Sequence, residues 1–227
     1  MKKKNKVYQF KGQDVLLKHK PVYAFLKRCI DFFGALLAIL VFSWLMIIIA
    51  ILVKCTSRGP VIYKSQRIGK GGKPFTFYKF RSMRVGAEAE LKKLEDQNEV
   101  EGGIIFKMHN DPRITKFGRF LRKTSLDELP QLFNILNGTM SIVGPRPCTT
   151  VEYEKMLAHE EYKEYANLKT LVPQGLTCIW QCSGRSNTTF EEQMMMDVEY
   201  LKKRGFWFDV WMVLKTVPAV LFSKGAE

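Results

Sequence analysis

Phe32 to Val53 is a run of 22 residues without a charge, FFGALLAILVFSWLMIIIAILV. As a helix it measures roughly 33 Å, enough to cross a hydrocarbon core. Its length, its late start and the lack of a small-residue cleavage site argue against a signal peptide. Beyond it the pattern is that of a mixed soluble domain. Val61–Gln66 and Pro74–Arg81 read as two strands around the turn Gly69-Lys70-Gly71-Gly72, a β-hairpin. Gly86–Asn98 predicts a polar helix, and residues 119–137 predict a helix with a sharp start. Thr150–Leu168 predicts an acidic amphipathic helix with Tyr153, Met156, Leu157 and Tyr165 at apolar positions, and Phe190–Lys203 predicts another. Gly205–Phe222 is apolar and aromatic but interrupted by Asp209, Lys215 and Pro218. It is either core or a helix at headgroup depth, where Trp207 and Trp211 are favoured. The expected fold class is α+β: a small cytosolic domain (57–223) on a membrane helix (29–56), preceded by a basic segment (1–28), with interfacial amphipathic helices.

Charge sharpens this picture. The chain has 227 residues with 36 basic and 22 acidic side chains, a net charge of +14. Residues 1–85 hold 18 of the basic groups against only Asp14 and Asp31, so the excess belongs to the third that carries the apolar run. That distribution favours an anionic membrane surface over nucleic acid. Nine basic residues precede the run, and Lys54, Arg58, Lys64 and others follow it with no acid before Glu88. Both flanks therefore ask to lie on the cytoplasmic side. A re-entrant helix satisfies both, and a straight span satisfies one. Cys29, Cys55, Cys148, Cys178 and Cys182 follow neither a zinc nor a disulfide pattern.

The densest polar stretch runs from Asn110 to Pro147. Ser125-x-x-Glu128 has the form of a capping box. With Ser125 as N-cap, Pro130 falls inside the helix and removes a bond; with Asp127 as N-cap it falls in the first turn at no cost. Either register puts Asp127 and Glu128 on the first turn, where the helix dipole, Arg122 and Lys123 keep them ionised. An ionised aspartate among phosphate-binding groups can attack phosphorus, and a neighbouring glutamate can hold Mg²⁺ together with substrate phosphates. In Gly144-Pro145-Arg146-Pro147 two prolines stiffen the backbone around a guanidinium suited to bidentate phosphate recognition. Lys79, Arg81 and Arg185 add further cations.

These residues resemble a family, the bacterial sugar transferases, monotopic polyprenyl-phosphate phosphoglycosyl transferases. The likeness is carried by Lys27-Arg28-Cys29-Ile30-Asp31, Arg58-Gly59-Pro60-Val61-Ile62-Tyr63-Lys64-Ser65-Gln66-Arg67-Ile68-Gly69 and Phe77-Tyr78-Lys79-Phe80-Arg81-Ser82-Met83. It continues through Asn110-Asp111-Pro112-Arg113, Thr124-Ser125-Leu126-Asp127-Glu128-Leu129-Pro130-Gln131, Val143-Gly144-Pro145-Arg146-Pro147 and Trp180-Gln181 with Ser183-Gly184-Arg185. The resemblance implies transfer of a sugar phosphate from a UDP-sugar to undecaprenyl phosphate, with release of UMP, at the start of exopolysaccharide, capsule or other surface-glycan synthesis. It makes Asp127 the nucleophile of a covalent glycosyl-phosphoryl intermediate and Glu128 a ligand of Mg²⁺. Arg146 with Pro145 would meet a phosphate or the nucleotide, and Arg122, Lys79, Arg81 and Arg185 would assist. It implies a re-entrant membrane helix, membrane lipids as partners, room for a homodimer, and the bacterial inner membrane with the catalytic domain on its cytoplasmic face. Three positions depart from the family pattern: Ser43 is followed by Trp44 where a proline is usual, Gln174 precedes Gly175 where a proline is usual, and Cys178 stands for a glycine. Two other readings fit the basic third or the polar site: a non-catalytic adaptor for anionic lipid or RNA, and a UDP-sugar hydrolase. The sugar itself is not encoded in any recognisable motif.

Overall fold

The computed structural model describes residues 6–10, 13–99, 104–106, 108, 110–183 and 188–221. Two short strands, β1 (Lys6–Phe10) and β2 (Gln13–Leu17), form an antiparallel hairpin within the segment that the sequence marks only as basic. Helix α1 then runs unbroken from Pro21 to Thr56, with proline in its first turn, where the missing N–H removes no bond. It passes through Ser43, whose hydroxyl bonds back to the Leu40 carbonyl at 2.9 Å.

Strands β3 (Ile62–Ile68) and β4 (Pro74–Phe80) form the expected hairpin, paired from Ile62–Phe80 to Ile68–Pro74. Helix α2 (Ala87–Leu94) follows. The helix expected over 119–137 is three pieces: α3 (Lys116–Lys123), a 3-10 turn (Leu126–Glu128) and α4 (Gln131–Leu136). The capping box does not form, and Asp127 is not the N-cap of α4 either. Ser125 is left-handed, with φ 57°, its side chain caps nothing, and the residue before α4 is Pro130. Thr150–Leu168 likewise divides at the extended residue His159 into α5 (Thr150–Ala158) and α6 (Glu160–Lys169). The remaining elements are β5 (Ser141–Val143), which pairs in parallel with β6 (Gly175–Thr177), then α7 (Ile179–Ser183), α8 (Phe190–Lys203) and α9 (Phe206–Leu221).

The largest core cluster joins the N-terminal hairpin to α5, α6, α8 and α9, with Phe10, Val15, Met156, Tyr165, Met194, Leu201 and Met212 buried together. Two smaller clusters are built on α1. Ala35 packs with Phe75, Phe77, Leu132, Ile135 and Met140, and Ile49 with Val53 packs on Phe80 and Leu121. The opposite stripe of α1, through Phe33, Leu37, Leu40, Trp44, Ile47 and Ile51, is exposed. Large aliphatic and aromatic side chains left uncovered in one continuous stripe mark a surface meant for an apolar partner. Near the C-terminus Trp207 (77% exposed), Leu214 and Val217 lie outward on α9 while Met212 is buried, and Lys215 lies 4.3 Å over the Trp211 ring.

Candidate active site

The 3-10 turn Leu126–Glu128 presents two adjacent carboxylates in different surroundings. Leu126 and Leu129, on either side, pack against the α1 cluster around Ile49 and Val53, so the acidic turn rests on the apolar helix. Asp127 is buried, 4% exposed. Lys79, at the end of β4, reaches both acids: its Nζ donates to Asp127 Oδ2 at 3.2 Å and to Glu128 Oε1 at 2.8 Å. Arg146 donates from Nη2 to the same Glu128 oxygen at 2.7 Å, and its guanidinium lies 5.7 Å from the Trp180 ring. Burial alone would raise the Glu128 carboxyl, but Arg146 and Lys79 outweigh it and hold the group far below the usual carboxylate range. Arg146 is held firmly protonated: burial works against its charge and Glu128 overrides it.

The loop that delivers Arg146 is fixed by a close backbone crossing. Gly175 donates to the Pro145 carbonyl at 2.8 Å, and Gly144 donates to Thr177 at 3.1 Å. A Cβ on Gly175 would run into Gly144 N, and one on Gly144 would run into the Pro173 carbonyl, so both positions need glycine for space. Pro145 thus contributes a carbonyl anchor and a fixed φ to the site.

Arg122 donates from Nε to Ser82 Oγ at 3.0 Å. Burial lowers its pKa, against the opposing pull of the carboxylates of Asp127 and Asp111. Together with Arg146, Ser125 and Trp180 it lines a cavity of about 440 Å³ that continues past Asp111 and Arg113 to Tyr165 and Lys169. Arg81 is not in this cluster. It is buried against the C-terminal end of α1, where it donates to the carbonyls of Ser57 (2.7 Å), Val53 (3.4 Å) and Pro60. A cation there satisfies carbonyls that a helix end leaves open. Arg185 lies outside the described residues. Lys79, Asp127, Glu128, Arg146 and Arg122 are the expected site residues that the fold brings together.

Two polar pairs in the cavity wall were not foreseen. Asp111 and Arg113 form a buried pair, with Arg113 Nη2 to Asp111 Oδ2 at 2.6 Å. Lys169 donates to Asp197 at 2.6 Å and to the Tyr165 hydroxyl at 3.0 Å, all three buried. The sequence signal for the second was an acid set in the apolar face Met194–Val198.

For Mg²⁺, the donor set is Glu128 and Asp127, two hard oxygen donors side by side. Among the described residues no group of three His, Cys, Asp or Glu forms a cage. Magnesium binds in this manner through one or two carboxylates and completes its shell with substrate phosphates and water. The residues therefore fit Mg²⁺ brought with a diphosphate.

A family model described as bacterial sugar transferase matches residues 22–223, from the start of α1 to beyond α9. The chain belongs to the bacterial sugar transferases. Among the relatives of this chain is a galactosyl transferase, CpsE, of Streptococcus agalactiae, 39% identical over 98% of the chain and 49% of the relative. Undecaprenyl-phosphate galactose phosphotransferase of Salmonella typhimurium is 41% identical over 89% of the chain and 42% of that protein. Exopolysaccharide production protein ExoY of Rhizobium meliloti is 38% identical over 91% of the chain and 90% of its own length. The chain thus spans about half the length of the first two and nearly all of the third.

Proposed function

We propose that this sugar transferase moves a sugar phosphate from a UDP-sugar to undecaprenyl phosphate, releasing UMP, with Asp127 as the nucleophile. The observation that carries the reading is the pair of unlike carboxylates, Asp127 buried on a short turn and Glu128 clamped by Lys79 and Arg146. In the first step an Asp127 carboxylate oxygen bonds to the phosphorus that bears the sugar, and the bridging bond to UMP breaks with its electron pair leaving on UMP. In the second, a phosphate oxygen of the lipid attacks the same phosphorus and Asp127 leaves as carboxylate. Lys79 and Arg146 lie where negative charge gathers, and Arg122 adds a third cation at the cavity edge. Bound Mg²⁺, held by Glu128 with help from Asp127, would offset the charge of the diphosphate.

The membrane arrangement supports the same reading. Arg28, Asp31 and Ala35 near one end of α1, and Ile49 and Val53 near the other, all touch a single domain. Basic flanks and these shared contacts favour both ends of α1 lying on one side of the membrane, the cytoplasmic one, as the re-entrant reading requires. The exposed rings of Trp207 and Trp211 suit α9 to headgroup depth. A lipid phosphate would then arrive at the level of the acidic turn.

Intact-protein mass spectrometry tests this. The protein, incubated with Mg²⁺ and a panel of UDP-sugars without lipid, is expected to gain one sugar-phosphate mass. Undecaprenyl phosphate should discharge the adduct, and Asp127→Asn should not form it. UMP release by Asp127→Asn at the wild-type rate would sink the covalent route. UMP release that needs no lipid would favour a hydrolase.

A further inference from the structure

Within the apolar helix, one short stripe is polar and small. Arg28, Asp31, Gly34 and Ala35 follow one another at helical spacing on one face of α1. Asp31 is 5% exposed, and its Oδ1 accepts the backbone N–H of Ile142 at 2.9 Å. That N–H needs a partner. In β5 the N–H of Ser141 bonds across the ladder to the Gln174 carbonyl at 2.8 Å, and the next N–H along a strand faces the opposite edge. One turn further along α1, Gly34 lets the strand come close: a Cβ there would meet Ile142 Cδ1 at 3.1 Å. One turn earlier, Arg28 donates to the carbonyls of Ile135 (2.7 Å) and Leu136 (2.8 Å), closing the C-terminal end of α4.

The two segments held by this stripe are those that carry the halves of the Glu128–Arg146 ion pair. β5 ends at Val143, three residues before Arg146, and α4 begins three residues after Glu128. We propose that Asp31, seconded by Arg28, is a positioning residue for the phosphate-binding arginine: the buried face of α1 sets where Arg146 stands against Glu128. This rests on the transferase reading above, and extends it by assigning a catalytic consequence to a residue of the anchor. Asp31 touches no substrate. It holds the edge of β5 that faces away from β6, while the Gly144–Gly175 crossing holds the other.

The test measures adduct formation and steady-state turnover in the full-length, membrane-reconstituted protein. Misplacing a charged group by about an ångström can cost on the order of 100-fold in rate. Asp31→Leu is therefore expected to lower kcat roughly 10- to 100-fold. The cation stays in the cavity, so the KM for the UDP-sugar should move by less than about threefold. Asp31→Asn keeps an acceptor oxygen and should restore most of the rate. In an Arg146→Ala background, Asp31→Leu should have little further effect, because both changes act through one bond. Gly34→Leu provides a route that leaves every hydrogen-bonding group in place. It displaces Ile142 and should lower kcat in the same direction, and it decides the matter if Asp31→Leu does not fold. Wild-type kcat in both Asp31→Leu and Gly34→Leu would overturn the proposal, as would an Asp31→Leu loss of equal size with and without Arg146. A wild-type protein that makes no adduct and no UMP would instead overturn the transferase reading.

Discussion

Glu128 accepts two cations on one oxygen, and this makes its charge state a matter of folding as well as of chemistry. Its pKa in the folded chain lies well below the ordinary value of 4.5. A group with a depressed folded pKa stabilises fully above its unfolded value, and that contribution fades as pH falls toward the folded one. Removing the charge by Glu128→Gln should therefore destabilise the protein by about 2 kcal/mol at pH 7, a figure reduced for the partial exposure of Lys79 and Arg146. The difference in melting temperature between wild type and variant should narrow only below about pH 4.5, where unfolded glutamates take up protons. A gap that narrowed between pH 8 and pH 6 would mean another group is responsible. Adjacent carboxylates were visible in the sequence. The two cations that Glu128 binds were not, because Lys79 lies 49 positions from it and Arg146 lies 18 away.

At the scale of elements, the chain contains the pattern Ser/Thr-x-x-Glu at three helix starts and uses it as a cap at two. Thr149 with Glu152 and Thr189 with Glu192 make full reciprocal capping boxes on α5 and α8. At Ser125 the same letters fail, since Glu128 is engaged by cations from β4 and the loop after β5. Pro130 is the local clue, since inside a helix capped by Ser125 it removes a bond. The β3–β4 hairpin was legible because its glycine turn and both strands are contiguous. The β5–β6 pair was not, being three residues long, parallel, and drawn from segments more than thirty residues apart. That small pair is tight enough to test. Gly175→Ala places a methyl group against the Gly144 backbone and should cost about 1–3 kcal/mol, with a fall in turnover as the Arg146 loop moves. Gly205→Ala, whose nearest neighbours lie 3.8 Å or more from the new carbon, should be tolerated in the same thermal and kinetic assays.

For the whole molecule, the long apolar helix and the domain that follows it share one interior. Two of the three hydrophobic clusters include α1, through Ala35 and through Ile49 with Val53. Each Ile or Val lost from such a site removes about 1.5–3 kcal/mol of burial. A chain starting after Ser57 would also strip Arg81 of the Val53 and Ser57 carbonyls. It should fail to melt cooperatively and should be cut readily by protease, whereas the full-length protein in detergent should resist; a stable, soluble truncated domain would contradict this. The apolar run and its basic flanks were plain in one dimension. That the run supplies core to the catalytic domain could be learned only from the fold, since an apolar residue carries no mark of whether it will meet lipid or protein.

Lys79 and Arg81 stand two positions apart in the chain, one joined to both carboxylates and the other to the C-terminal end of the membrane helix. The consequence is mechanical. Under the proposed reaction, tilt of α1 would reach the two carboxylates through a lever two residues long. Turnover should then change with bilayer thickness when the protein is reconstituted in lipids of different chain length, and a rate indifferent to chain length would contradict it.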